Sequence, residues 1–264
     1  MDLQLRGRRA LVTGSTAGIG FATARLLAAE GAEVVVNGRT EARVDEAMRA
    51  IRNAVEGASV QGVAGDLGSA AGCQAVIDRI PDVDVLINNA GIFEPKPFDE
   101  IPDADWLRLF EMNVMSGVRL SRHYIRGMRE RDWGRIVFVS SESGVQIPAE
   151  MIHYGMTKTA QIAVARGLAE TTSGTGVTVN SVLPGPTSSE GVTTFVGQIA
   201  EARGVDFSTL ERELITTARP SSLLQRFSTP DEVAAMIVYV CSGRAVATNG
   251  AALRVDGGVV RSLL

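Results

Sequence analysis

Cysteine, histidine and lysine are scarce in this chain, and no long apolar run interrupts it. Its 264 residues include two of each, against 24 arginines. Cys73 and Cys241 are too few for a disulfide framework, and no Cys-x-x-Cys or histidine cluster suggests a metal. Both cysteines read as small core residues. With only His123 and His153 available, no nucleophile-and-base set of the hydrolytic kind can be assembled. No apolar stretch approaches the roughly 18 residues that a membrane span requires. The start, MDLQLRGRRALVTG, has charges but no apolar segment ahead of the first strand, so no secretory signal is expected. A net charge of −4 argues against nucleic acid or an anionic membrane as the main partner. A length of 264 residues, 45% apolar and 21% charged, suits one soluble, cytoplasmic α/β domain spanning 1–264.

What the chain does contain is organised around Ser141 to Lys158, SESGVQIPAEMIHYGMTK. The following TAQIAVARGLAE is helical in pattern, so Tyr154 and Lys158, four apart, fall on one face a turn apart. A free phenol titrates near pH ~10, and a neighbouring ammonium lowers it, which makes Tyr154 a candidate general acid and base. In a chain that otherwise prefers arginine, a lysine here supplies a compact point charge. Ser141 lies at the end of the apolar run Arg135 to Ser140, which reads as a buried parallel strand. Strand and helix together bring a hydroxyl, a phenol and an ammonium to one sheet edge.

This set resembles the Asn-Ser-Tyr-Lys tetrad of the short-chain dehydrogenase/reductase family, with that family's serine-to-tyrosine spacing. The likeness extends over about residues 5 to 258. A strand at Arg9–Thr13 is followed by Gly14-Ser15-Thr16-Ala-Gly18-Ile19-Gly20 and a helical pattern from Phe21 to Glu30. A glycine turn between strand and helix lets backbone approach a pyrophosphate at the helix N-terminus. The second strand, Glu33 to Asn37, ends at Gly38-Arg39. The family usually carries an acid at the position of Gly38 when it prefers NAD. A vacant glycine beside a guanidinium favours the 2′-phosphate of NADP(H), with NAD(H) the alternative. On the bland reading, Arg39 merely precedes the exposed helix from Thr40 to Asn53.

The third strand, Val60 to Ala64, leads to Asp66-Leu67, where the resemblance implies a contact with adenine; a helix cap is the alternative. The fourth, Val83 to Ile87, leads into Asn88-Asn89-Ala90-Gly91, which matches the family's turn beneath the cofactor. Pro102 to Arg131 reads as one long helix, with Asn113 out of place in its interior. By resemblance Asn113 kinks that helix and holds a water relay to Lys158; otherwise it is an ordinary solvated asparagine. The arginines at 119, 122, 126, 129 and 131 read as a solvated face or, less simply, a dock for an acidic carrier protein. A strand from Gly176 to Leu183 closes with Pro184-Gly185, and the family's carboxamide-binding segment then falls on Pro186, Thr187 and Ser189.

The excursion from Ser188 to Ser222 has the length of a substrate lid. Thr229-Pro230-Asp231-Glu232 is a strong helix start, and the chain finishes with a strand at Ala251–Val255. By resemblance the pocket draws on Phe93, Glu94, Ser143, Gln146, Ile147, Met151 and Pro186. Glu142 is an unusual charge after Ser141, and either orients a polar substrate or points to solvent. The resemblance implies a Rossmann-type, doubly wound α/β fold, seven parallel strands with helices on both faces. It also implies hydride exchange between NADP(H) and a small carbonyl or secondary alcohol: Ser141 bonds the carbonyl oxygen, Tyr154 protonates it and Lys158 tunes the phenol. A homotetramer or dimer is common in such proteins. A 3-oxoacyl-thioester reductase and a non-catalytic cofactor-binding regulator are the other readings.

Overall fold

Short β-branched runs alternate with helical stretches along the chain, and the backbone follows that alternation. The computed structural model describes residues 1–263, the side chain of Phe195 apart. Its strands are β1 (Arg9–Val12), β2 (Glu33–Gly38), β3 (Val60–Ala64), β4 (Val85–Asn88), β5 (Gly134–Val139), β6 (Val177–Pro184) and β7 (Ala252–Val255). They form one sheet in the order β3-β2-β1-β4-β5-β6-β7, every pairing parallel. The helices are α1 (Gly18–Ala29), α2 (Glu41–Ala54), α3 (Ala70–Arg79), α4 (Asp103–Phe110), α5 (Ser116–Glu130), α6 (Ile152–Glu170), α7 (Glu190–Arg203), α8 (Phe207–Ala218) and α9 (Pro230–Cys241).

Both sheet faces are covered, which is why the strands read as nearly continuous apolar runs. Alternation sends Ala10 and Val12 of β1 to a core with Leu27, Ile51 and Ile237, from α1, α2 and α9. Leu11 points the other way, into a core with Val76, Leu120 and Ala165 from α3, α5 and α6. Chain order reverses across β1, with β2 on one side and β4 on the other. A doubly wound sheet opens a crevice at the carboxyl ends of its strands at such a switch point. The Thr13 hydroxyl locks that end, donating to the Ile87 carbonyl at 3.1 Å and accepting from the Ala90 amide at 2.9 Å.

The stretch from 102 to 131 is interrupted where the family resemblance implied a kink: a π-turn over Glu111–Met115 separates α4 from α5. Asn113 lies in it, its amide exchanging two hydrogen bonds with the Ile92 backbone at 2.8 and 2.9 Å. That side chain holds the helix to a neighbouring loop, and the inserted residue absorbs the distortion. Arg119, expected on a solvated face, is drawn in on Glu111 at 2.7 Å. The region 188–222 contains α7 and α8, packed around Val196, Ala200, Leu210, Ile215 and Phe227. No described helix is long and apolar enough to cross a membrane.

Leu86 is fully buried in β4 and packs between the central strands. Leu86→Ala should lower the unfolding free energy by about 2–5 kcal/mol. Thr229→Ala, which removes the capping box of α9, should cost only about 1 kcal/mol. Urea titrations of the two variants check the ranking.

Candidate active site

The glycine turn after β1 is conformationally demanding. Gly14 and Gly18 have φ of +59° and +57°, and a Cβ on Gly14 would sit 3.0 Å from the Ala90 Cα. Any side chain there would be strained and would fill the crevice. The turn is braced from within. The Asn89 amide donates to the carbonyls of Thr13 and Gly14 at 2.9 and 3.0 Å. Ser15, expected to contact a cofactor, is instead buried as a strut: its hydroxyl donates to Val12 at 2.6 Å and accepts from the Asn37 amide at 3.0 Å.

Helix α1 begins at Gly18 with Ala17 as its N-cap, has no side-chain cap and has no acid in its first turn. Its leading amides therefore keep their capacity for an anion. Ala17, Gly18, Ile19 and Gly20 line one end of a cavity of about 470 Å³. The cavity runs past Asn89, Gly91 and Phe93 to Ser141, Tyr154 and Lys158, and is closed by Pro184, Gly185, Pro186, Thr187, Ser189 and Arg219. A smaller recess of about 160 Å³ is lined by Gly14, Thr16, Gly38, Arg39, Leu67 and Ala90. An uncapped helix end between two recesses fits a dinucleotide. A Cβ on Gly38 would lie 2.5 Å from the Thr16 methyl, so an acid has no room there, and Arg39 is exposed beside it. Asp66 is outside the lining of the recess, its carboxylate accepting from the Gly68 amide at 3.1 Å. The Thr187 hydroxyl donates to the Gly185 carbonyl at 2.9 Å.

The four tetrad positions converge at the far end. Strand β5 delivers Ser141, and the Ser140 hydroxyl pins α6 to it through the Lys158 carbonyl at 2.8 Å. Lys158 Nζ lies 5.6 Å from the centre of the Tyr154 ring, but donates to the Val139 carbonyl at 2.9 Å and the Gln161 Oε1 at 3.1 Å. Gln161 Nε2 in turn donates to the Asn113 carbonyl at 2.5 Å. An amide side chain thus links Lys158 to the Asn113 carbonyl, on the path where a water relay was expected. Burial pushes the Tyr154 phenol well above its ordinary value, the nearby Glu142 charge adds to this, and the hydrogen bond with Ser141 opposes it. The lowering by Lys158 expected from sequence is therefore not visible in this state. Burial brings Lys158 itself down to about 8, with Glu142 acting the other way.

Gln161 had no assigned role in the sequence, and Glu142, expected either to orient a polar substrate or to point to solvent, does not point to solvent. Glu142 is 4% exposed. Its Oε2 accepts from the Ser141 hydroxyl at 2.5 Å, and its Oε1 from Arg219 Nε at 2.8 Å. Of the expected pocket residues, Phe93, Ser143, Met151 and Pro186 line the cavity. Glu94 instead joins Lys96 and Arg108 at 3.2 and 2.5 Å, outside the lining. Gln146 and Ile147 are exposed and also lie outside it. His153 is buried edge-on to Trp106, at 5.8 Å between ring centres.

The sequence profile of the family described as short chain dehydrogenase matches residues 8–198. The chain is 47% identical to the uncharacterized oxidoreductase YvrD of Bacillus subtilis, with all of both chains covered. It is 34% identical to D-beta-hydroxybutyrate dehydrogenase of Cupriavidus necator, over 97% of this chain and 99% of that one. Among solved structures, L-sorbose reductase of Gluconobacter frateurii, complexed with NADPH and L-sorbose, superposes with a TM-score of 0.94. That match has 31% identity and covers both chains fully.

The lowered Lys158 pKa fixes the sign of a pH effect. Between about 8 in the folded chain and its ordinary 10.5, the unfolded state binds more protons, so this residue makes stability rise with pH. Urea unfolding from about pH 7 to about 9.5 should show wild type gaining on Lys158→Met as pH increases. A pH-independent difference would contradict the burial of this ammonium.

Proposed function

The chain belongs to the short chain dehydrogenase family and is an oxidoreductase acting on alcohol and ketone groups; from that premise we propose an NADP(H)-dependent enzyme in which Ser141, Tyr154, Lys158 and Asn113 form the working set. The observation that carries this is the convergence of Ser141, Tyr154 and Lys158 on the cavity that begins at the bare N-terminus of α1.

The amides of the α1 first turn and the backbone of Gly14 to Gly20 would hold the pyrophosphate. Arg39, with no acid at Gly38, would pair with a ribose 2′-phosphate, which a carboxylate would repel. Arg43 stands nearby, ion-paired at 2.8 Å with Glu190 at the start of α7. The complex of the Gluconobacter relative with NADPH supports the same preference. Gly185, Thr187 and Ser189 would border the nicotinamide. The nicotinamide, when bound, exchanges hydride with the substrate carbon.

Every other step belongs to side chains of this protein. Ser141 positions the substrate oxygen. Tyr154 gives its phenolic proton to that oxygen in reduction and recovers it in oxidation. A phenol raised by burial holds this proton firmly until negative charge develops on the oxygen beside it. Lys158, charged at neutral pH even at a pKa of about 8, stabilises the phenolate once it forms. Gln161 and Asn113 hold Lys158 in place, and proton return to Tyr154 must find a route other than the Gln161 amide. The 188–222 segment acts as a lid, fastened to the cavity floor by Arg219 on Glu142. The reading as a 3-oxoacyl-thioester reductase stays the alternative: Arg119 and Arg131 are ion-paired with Glu111 and Asp82, each at 2.7 Å, while Arg122, Arg126 and Arg129 border one recess on α5.

Tyr154→Phe should reduce kcat by about 10²–10⁴-fold while NADPH affinity, read by fluorescence titration, is retained. Near-normal turnover would remove Tyr154 from the mechanism. Arg39→Glu should raise KM for NADPH by about tenfold or more and leave KM for NADH nearly unchanged. Equal effects on both cofactors would contradict the 2′-phosphate contact.

A further inference from the structure

Glu142 places a buried carboxylate directly beside the hydroxyl that positions the reacting oxygen, and both line the cavity. An ionised carboxylate has about four acceptor sites on its two oxygens. Ser141 occupies one on Oε2, and Arg219 one on Oε1. Acceptor capacity is therefore left over at a place where solvent barely reaches, since the Glu142 side chain is 5% exposed.

Arg219 completes the arrangement from the C-terminal end of α8. Its Nε lies on Glu142, and its Nη1 bonds the Glu150 carboxylate at 3.3 Å and the Ala218 carbonyl at 2.8 Å. Among the described residues its Nη2 has no hydrogen-bond partner. A vacant acceptor and a vacant donor thus belong to one ion pair in the cavity wall.

Three substrate chemistries can be weighed against that wall. An alkyl group would leave the remaining donor and acceptor unpaired after displacing water, at the cost of a buried unsatisfied polar group. A substrate carboxylate resting on Glu142 would meet a like charge at hydrogen-bond distance, and Arg219 is already shared between Glu142 and Glu150. A hydroxyl donates and accepts at once, and matches both groups. Its position on the substrate also follows. Ser141 Oγ and Glu142 Oε2 are 2.5 Å apart. Oxygens on neighbouring carbons have a similar, roughly hydrogen-bond-length separation, so one can rest on Ser141, whose single proton turns from Glu142 to the reacting oxygen, and the other can donate to the Glu142 oxygen that this frees.

We infer that the substrate is a neutral α-hydroxyketone, or the vicinal diol that corresponds to it. Glu142 accepts a hydrogen bond from the hydroxyl next to the reacting carbon, and Arg219 donates to the oxygen of that hydroxyl. This rests on the oxidoreductase reading above and adds the specificity. Phe93, Met151 and Val192 supply apolar wall for the remainder of the molecule.

The test compares kcat/KM for 1-hydroxy-2-butanone and 2-butanone, with NADPH, in wild type and Glu142→Gln. Wild type should favour the hydroxyketone at least tenfold, and the substitution should cut that ratio by a similar factor. A parallel binding measurement uses the shift in thermal midpoint, with NADP⁺ present, caused by 1,2-butanediol or by 2-butanol. Wild type should respond to the diol and not to the monoalcohol, and Arg219→Gln should lose the difference. Equal turnover of the two ketones by wild type overturns the inference without any variant having to fold. So does a ratio unchanged in Glu142→Gln, or a preference for the anionic ketone levulinate over the hydroxyketone. Absence of turnover with all three ketones, joined by no response to the diol, would instead bring down the oxidoreductase assignment of the cavity, and this inference with it.

Discussion

A single ammonium, that of Lys158, is held in a nearly dry position beneath a phenol, and the reaction end of the molecule is arranged around that constraint. Its hydrogen-bond partners are neutral, a strand carbonyl and a glutamine. Burial without a directly bonded carboxylate disfavours the charged form and explains why its pKa falls to about 8. Satisfying it requires the end of β5, the second turn of α6 and the π-turn of Asn113 to meet at one point. The distortion at Asn113 therefore has a cause in packing: its carbonyl receives Gln161, while its side-chain amide clasps Ile92.

Glu142, paired with Arg219, bears on the phenol and the ammonium in opposite ways. A carboxylate near the phenol raises the cost of a phenolate, and the same carboxylate favours the charged lysine. Removing two charges from water is expensive, and a buried pair of this kind is weak evidence for stability alone. Its position beside Ser141, joining α8 to the cavity wall, fits the proposed role in substrate selection. The bond from the Ser141 hydroxyl to Glu142 also sets which way the serine proton points before a substrate arrives.

Much of the framework was legible in the residues. Seven strands fell within a residue or two of their expected limits, because a parallel sheet covered on both faces leaves its strands as short, uninterrupted apolar runs. The Gly14–Gly20 turn was legible because left-handed backbone and close approach to Ala90 leave few residue types possible. Helix α9 was announced by Thr229 to Glu232, whose side chains close a capping box. The helix around Asn113 was legible only in part. Its apolar spacing continues through Glu111–Met115, so the extra residue of the π-turn leaves no trace in periodicity.

Local order, then, was determined by the sequence alone: strand and helix succession, the glycine turn and the Tyr154–Lys158 spacing. Those depend on steric and hydrogen-bonding preferences acting over a few residues. Tertiary structure decided what each polar group meets. Arg219 reaches Glu142 across 77 positions, and Gln161 reaches the Asn113 carbonyl across 48. Neither pairing has a local pattern, because a buried charge or amide takes whichever partner the packed elements bring within hydrogen-bond distance.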